Sequence, residues 1–172
     1  ENWANPSALY GFGIEAAKLL RTARMQVAAA MGAEPDRVFF TSGGTEADNW
    51  ALMGAIKRFG KRGKHIITTV VEHHAILNCV KELENQGFEV TYLQPDGMGN
   101  ISLDALKEAL RKDTILVSIM MVNNETGAVT PLKEMVTLLR RSGIDAPFHT
   151  DAVQGFLKED FRYSMVDMAS FA

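Results

Sequence analysis

Thr114-Ile115-Leu116-Val117-Ser118-Ile119-Met120-Met121-Val122 is the longest apolar run of the chain with β-forming character. It has no polar alternation, so a strand over 114–122 has no water-facing side. Strands buried on both faces belong to parallel sheets covered by helices. The segments around it agree. Upstream, Lys64 to Val70 and Phe88 to Leu93 read as strands. His74 to Gln86 lies between them as a helix that Gly87 ends. Pro95-Asp96-Gly97-Met98-Gly99-Asn100 is turn chemistry, and Ser102 caps a helix through about Leu110. Downstream, Pro131 opens a helix to Arg141, Ala146 to Thr150 is a strand, and Met165 to Ser170 is one more.

Nearer the N-terminus, Gly13 to Met31 carries Leu19, Leu20, Ala23, Val27, Ala30 and Met31 at helical spacing. Gly32 closes that helix and Pro35 prevents its return. Arg37 to Thr41 reads as a short buried strand, Ser42-Gly43-Gly44 as a turn, and Thr45 to Phe59 as a second helix. The alternation predicts an α/β fold: three layers, α/β/α, around a mostly parallel sheet.

Composition narrows the function. The 172 residues are 47% hydrophobic and 23% charged, ordinary for a globular domain, and the net charge is −3. The 18 basic residues are scattered, which argues against nucleic acid or an anionic membrane as partner. The densest basic run, Lys57 to Lys64, reads as a solvated helix end and loop. No apolar run is long enough to span a bilayer. A single cysteine, Cys79, excludes an internal disulfide framework and fits a reducing compartment, the cytoplasm by default. Its place inside a helix makes it a small core residue.

In open parallel sheets, ligands bind beyond the carboxyl ends of the strands. The residues there are polar. Gly43-Gly44-Thr45 stands where a predicted strand turns into a helix, as a phosphate cradle or as a plain turn with Thr45 as N-cap. It is no Walker loop, because no Gly-Lys-Ser/Thr follows. His73 is able to stack on a flat aromatic ligand, or is only a solvated loop residue. His73 and His74 are adjacent, point different ways and lack a partner at metal-ligand spacing. Asn123-Asn124 offers amides or a turn. Asp151, with Gln154 three residues on, is either a helix cap or a fixed anion for a heterocyclic nitrogen. His149 shares a strand face with Asp151, yet no nucleophile elbow accompanies them.

Six stretches occur in one order: Asn5-Pro6-Ser7, Phe40-Thr41-Ser42-Gly43-Gly44-Thr45-Glu46-Ala47-Asp48-Asn49, His65-Ile66-Ile67-Thr68, Glu72-His73-His74-Ala75, Asn123-Asn124-Glu125-Thr126-Gly127 and His149-Thr150-Asp151-Ala152-Val153-Gln154. In these the chain resembles the cysteine desulfurases, class V aminotransferase-like enzymes of pyridoxal 5'-phosphate (PLP) fold-type I. The resemblance implies that residues 1–172 are the central part of a PLP-binding large domain, without its N-terminal segment and small C-terminal domain. It implies that Gly44 and Thr45 hold the cofactor phosphate and that His73 stacks on the pyridine ring, with a possible part in proton transfer. Asp151 would pair with the ring nitrogen, and Gln154 and Asn124 would contact the 3-oxygen side or the substrate. The implied reaction takes L-cysteine to L-alanine, with sulfur leaving as an enzyme persulfide for an iron–sulfur scaffold or a similar acceptor. A homodimer is implied too. Related readings are a selenocysteine lyase, another class V enzyme, or a truncated non-catalytic protein. The family's Schiff-base lysine would follow shortly after Ala172, and its catalytic cysteine further on. Lys158 and Cys79 stand in the wrong places to replace them, and Ala172 stands where many relatives carry a serine.

Overall fold

A computed structural model describes residues 4–160 and 162–172. The chain divides into two compact units, Glu1–Phe40 with Arg162–Ser164, and Thr41–Phe161 with Met165–Ala172.

In the first unit, helix α1 spans Gly11–Met31, two residues longer at its start than the apolar stripe predicts. Gly13 permits the extension: a Cβ there would lie 2.4 Å from the Ala8 carbonyl oxygen. Gly32 ends the helix in a left-handed conformation, φ 63°. The expected strand over 37–41 does not form. Pro35–Arg37 is a 3-10 turn, and the residues after it are irregular. Phe39 and Phe40 stay 65% and 46% exposed, so their β-forming character does not mark a buried ladder.

The second unit holds five parallel strands: β1 His65–Thr69, β2 Glu89–Leu93, β3 Thr114–Ser118, β4 Phe148–Asp151 and β5 Met168–Ser170. Their order is β2-β1-β3-β4-β5. The chain steps from β1 to β2 on one side, then returns to place β3 on the other. The order therefore reverses between β1 and β3, the switch point at which such sheets open a crevice. Helices α2 Gly44–Phe59 and α3 His74–Asn85 pack together on one face, around Leu52, Ile66, Ile76, Val80, Leu83 and Leu116. Cys79 is buried in that core, as its helix position predicts. Helices α4 Leu103–Ala109 and α5 Leu132–Arg141 pair on the other face, with Leu106, Leu132, Met135 and Leu139 buried. Ser102 caps α4 by accepting from the Ala105 amide at 3.0 Å. The basic run closing α2 is exposed, with Arg58 and Arg62 lying over the Phe59 ring.

β3 is shorter than its apolar run. Residues 119–121 remain buried and still donate to β4, Ile119 N to His149 O at 3.1 Å and Met121 N to Asp151 O at 2.8 Å. On the β1 side no strand continues. The Glu72 side chain takes that place and accepts from the Met120 amide at 2.9 Å. Val122 then pairs antiparallel with Val129 across a tight loop.

Leu116 is fully buried between the sheet and α2–α3. Leu116→Ala should cost about 3 kcal/mol, the transfer of the lost methyl groups plus an unfilled cavity. Denaturant midpoints of the two forms measure it. A loss below about 1 kcal/mol would mean that the site collapses around the smaller side chain.

Candidate functional site

The carboxyl ends of the strands gather the residues singled out from the sequence. α2 begins at Gly44 with Gly43 as its N-cap, and no side chain caps it. Thr45 lies inside the first turn, so the reading of Thr45 as N-cap is corrected. The leading amides of α2 thus point outward as an anion-attracting end. A Cβ on Gly44 would lie 3.3 Å from Val153 Cγ2 and 3.7 Å from Ala172 Cβ. The helix start is therefore pressed against the loop after β4 and the chain after β5. Glu46 turns back to accept from the Ser42 amide at 2.5 Å, which holds its carboxyl below the usual range and leaves the glycines clear.

Asp151 closes β4 and is 6% exposed. Its Oδ1 accepts from the Val153 amide at 2.9 Å, an Asx-type turn. Burial nevertheless pushes its carboxyl up, and His73 opposes that only in part. His73 is the N-cap of α3: its Nδ1 accepts from the Ala75 amide at 3.2 Å, fixing one edge of an exposed ring. Gln154 and Asn124 are exposed at the same end of the sheet. Asn124 is carried by a loop organised through Asn123, whose Oδ1 accepts from the Glu125 and Thr126 amides. Asn123 Nδ2 donates to the Val71 carbonyl at 2.9 Å and ties this loop to the turn that bears His73.

Beneath these residues lies a buried polar layer, of which the sequence singled out only His149, as sharing a strand face with Asp151. His149 is fully buried, with Nδ1 2.9 Å from Ser118 Oγ and Nε2 2.9 Å from Ser170 Oγ, a bridge across β3, β4 and β5. Burial drives its imidazole down to about 3, so the ring is neutral. Asp48 on α2 lies 3.8 Å from His149 Nε2, and its Oδ1 has no hydrogen-bond partner among the described residues. Burial, then the Asp151 charge, raises the Asp48 carboxyl to about 7. Glu72 is raised to about 8, chiefly by burial. The signal for Asp48 was present in the sequence: Asp48, Leu52 and Ala55 form one buried stripe of α2, an acid at a core position.

These shifts set a pH dependence for the cofactor-free protein. The ordinary values are 3.8 for Asp48, 4.5 for Glu72 and 6.5 for His149. A raised carboxyl stabilises the fold at low pH and loses that contribution as pH climbs to its folded value. The lowered His149 contributes above 6.5 and loses its contribution as pH falls towards 3. Between 4.5 and 6.5 the folded form holds one more proton than the unfolded chain at these three sites. Stability should then fall by about 1.4 kcal/mol per pH unit. Above 6.5 His149 is neutral in both states and no longer offsets the carboxyls, so the fall steepens until Asp48 and Glu72 ionise in the folded form. Denaturation midpoints across this range check it. Stability rising with pH would contradict the protonation states assigned here.

The family model for aminotransferase class-V matches residues 1–172. Cysteine desulfurase IscS of Clostridium botulinum (strain Kyoto / Type A2) is 47% identical over all of this chain and 43% of its own length. A putative cysteine desulfurase, IscS 1, of Bacillus subtilis (strain 168) is 48% identical over 98% of the chain and 45% of its own length. Among solved structures, a NifS-like protein superposes with a TM-score of 0.95 at 39% identity, over 100% of this chain and 48% of that one. SspA in complex with cysteine gives 0.92 at 40% identity, over 99% and 49%. The chain thus spans less than half the length of these relatives.

Proposed function

The chain belongs to the aminotransferase class-V family, and on that premise we propose that the whole protein is a PLP-dependent cysteine desulfurase. It would convert L-cysteine to L-alanine and pass the sulfur on as a persulfide on an enzyme cysteine. The observation that carries this reading is Asp151, a buried carboxylate at a strand end with an amide, but no cation among the described residues, as its hydrogen-bond partner. Such a group suits a protonated ring nitrogen. The start of α2, where no described side chain caps the leading amides, suits a phosphate.

PLP, once bound, supplies an electron sink that lets bonds around the substrate's α-carbon break. The chain's own residues do the rest. Gly44 and Thr45 hold the phosphate with backbone amides and a hydroxyl. Asp151 keeps the ring nitrogen protonated through charge pairing. The His73 ring, pinned at Nδ1 by the Ala75 amide, would stack on the cofactor ring and have Nε2 available to carry a proton. Asn124 and Gln154 offer neutral amides to the 3-oxygen side or the substrate. Cys79 is buried in the α2–α3 core, so the sulfur-accepting cysteine belongs to another part of the protein. Residues 1–172 would be the central part of the PLP-binding large domain of a cytoplasmic homodimer, with an iron–sulfur scaffold or similar protein receiving the sulfur.

The test is alanine formation by the full-length protein supplied with PLP and L-cysteine. One alanine per sulfur released supports the reading. Turnover of L-selenocysteine without L-cysteine would move it to a selenocysteine lyase. Neither product would remove the desulfurase assignment.

A further inference from the structure

Glu72 precedes His73 in the turn between β1 and α3 and is 5% exposed. Its Oε1 accepts from the Thr69 hydroxyl and from the Met120 amide, both at 2.9 Å. Thr69 is the last residue of β1, and Met120, 48 residues after Glu72, lies just past β3. The side chain thus continues the β1–β3 ladder after β1 has turned away, across the point where the strand order reverses. The bond from Asn123 to Val71 makes a second tie over the same gap. Together they hold the His73 turn against the loop that carries Asn124.

The other oxygen, Oε2, has no hydrogen-bond partner among the described residues. The charged groups that act on Glu72 are Asp48 from α2 and Asp151 from β4, both acidic. His149, also on β4, is neutral, and His73 on its own turn is exposed. An ionised Glu72 would leave a bare carboxylate oxygen in a buried layer beside two more carboxyls, at high electrostatic cost. A neutral acid keeps both bonds to Oε1 and leaves a single O–H on Oε2 without an acceptor, a smaller cost than a bare buried charge.

The geometry points to Glu72 as a positioning residue that works as a neutral carboxylic acid, bridging β1 to β3 and so fixing the turn that presents His73. This deepens the cofactor reading above by naming what holds the stacking ring, and rests on that reading only for its PLP-affinity readout. The ionised form is the one the site excludes, so an amide of the same shape should replace the acid, whereas a truncated side chain should not.

The test compares full-length protein with its E72Q and E72A variants. In the cofactor-free state, the fall in stability as pH rises above neutrality should be shallower in E72Q than in the parent, because the raised Glu72 carboxyl contributes to it. An infrared difference spectrum between the two should show a protonated-carboxyl band lost in E72Q at neutral pH. PLP affinity, followed by absorbance titration, should stay within about threefold in E72Q and fall about tenfold or more in E72A. The proposal is overturned if E72Q keeps the parent's full stability fall, if no protonated-carboxyl band distinguishes the parent from E72Q, or if E72Q binds PLP as poorly as E72A. It is equally overturned if E72A binds as the parent does. If E72A does not fold, E72Q alone decides through the pH profile and the infrared band. Parent protein that takes up no PLP would remove the cofactor reading, while the same two cofactor-free measurements still decide the state of Glu72.

Discussion

Asp151→Asn in the full-length protein should lower turnover of L-cysteine by about 10²- to 10³-fold, the size of effect seen when one aimed electrostatic group is removed. Asparagine keeps the shape and still accepts from the Val153 amide, so the loop after β4 should hold. What disappears is the charge. Burial already penalises that charge, pushing the Asp151 carboxyl up. At neutral pH the cofactor-free variant should therefore melt no lower than the parent. The two results belong together: activity falls while stability does not. Alanine release and melting temperature measure them. A loss of turnover below about tenfold would mean that Asp151 is a structural cap and not the partner of the ring nitrogen.

Gly44→Val should have the largest effect on cofactor uptake. Its Cβ would already stand 3.3 Å from Val153 Cγ2 and 3.7 Å from Ala172 Cβ. Two further methyl groups have to displace Val153 or occupy the space before the α2 amides. PLP affinity should fall by about 10²-fold, roughly 2.7 kcal/mol. The helix itself should survive, because a β-branched residue costs well under about 1 kcal/mol at one helical position. Gly44→Ala should cost less, since a single Cβ asks Val153 for a shift of only a few tenths of an ångström. Absorbance titration separates these outcomes. Equal affinity in Gly44→Val and parent would show that the phosphate does not lie at this helix start.

Much of the fold was legible because its elements follow strong local rules. α3, α4 and α5 begin where their caps and Pro131 place them, to within a residue. The site residues fall at one edge because a parallel sheet puts every strand end there. The misses arose where distant partners decide. Residues 37–41 have strand-like composition, yet a sheet order of β2-β1-β3-β4-β5 gives them no place. Ile119 to Met121 are as apolar as β3, but β1 has already turned away, so a carboxyl replaces a strand beside Met120. Asp48, Glu72 and His149 were visible as letters. Their state depends on being buried together, which only the packed sheet and α2 bring about.

The central claim is that Asp151 supplies the one anion that keeps a bound pyridine ring protonated. The most direct measurement is the nitrogen NMR signal of PLP labelled with ¹⁵N in its ring, bound to the full-length protein at mildly alkaline pH. The account predicts a protonated ring nitrogen in the parent protein and an unprotonated one in Asp151→Asn. An unprotonated nitrogen in the parent, or the same signal in both, would contradict it.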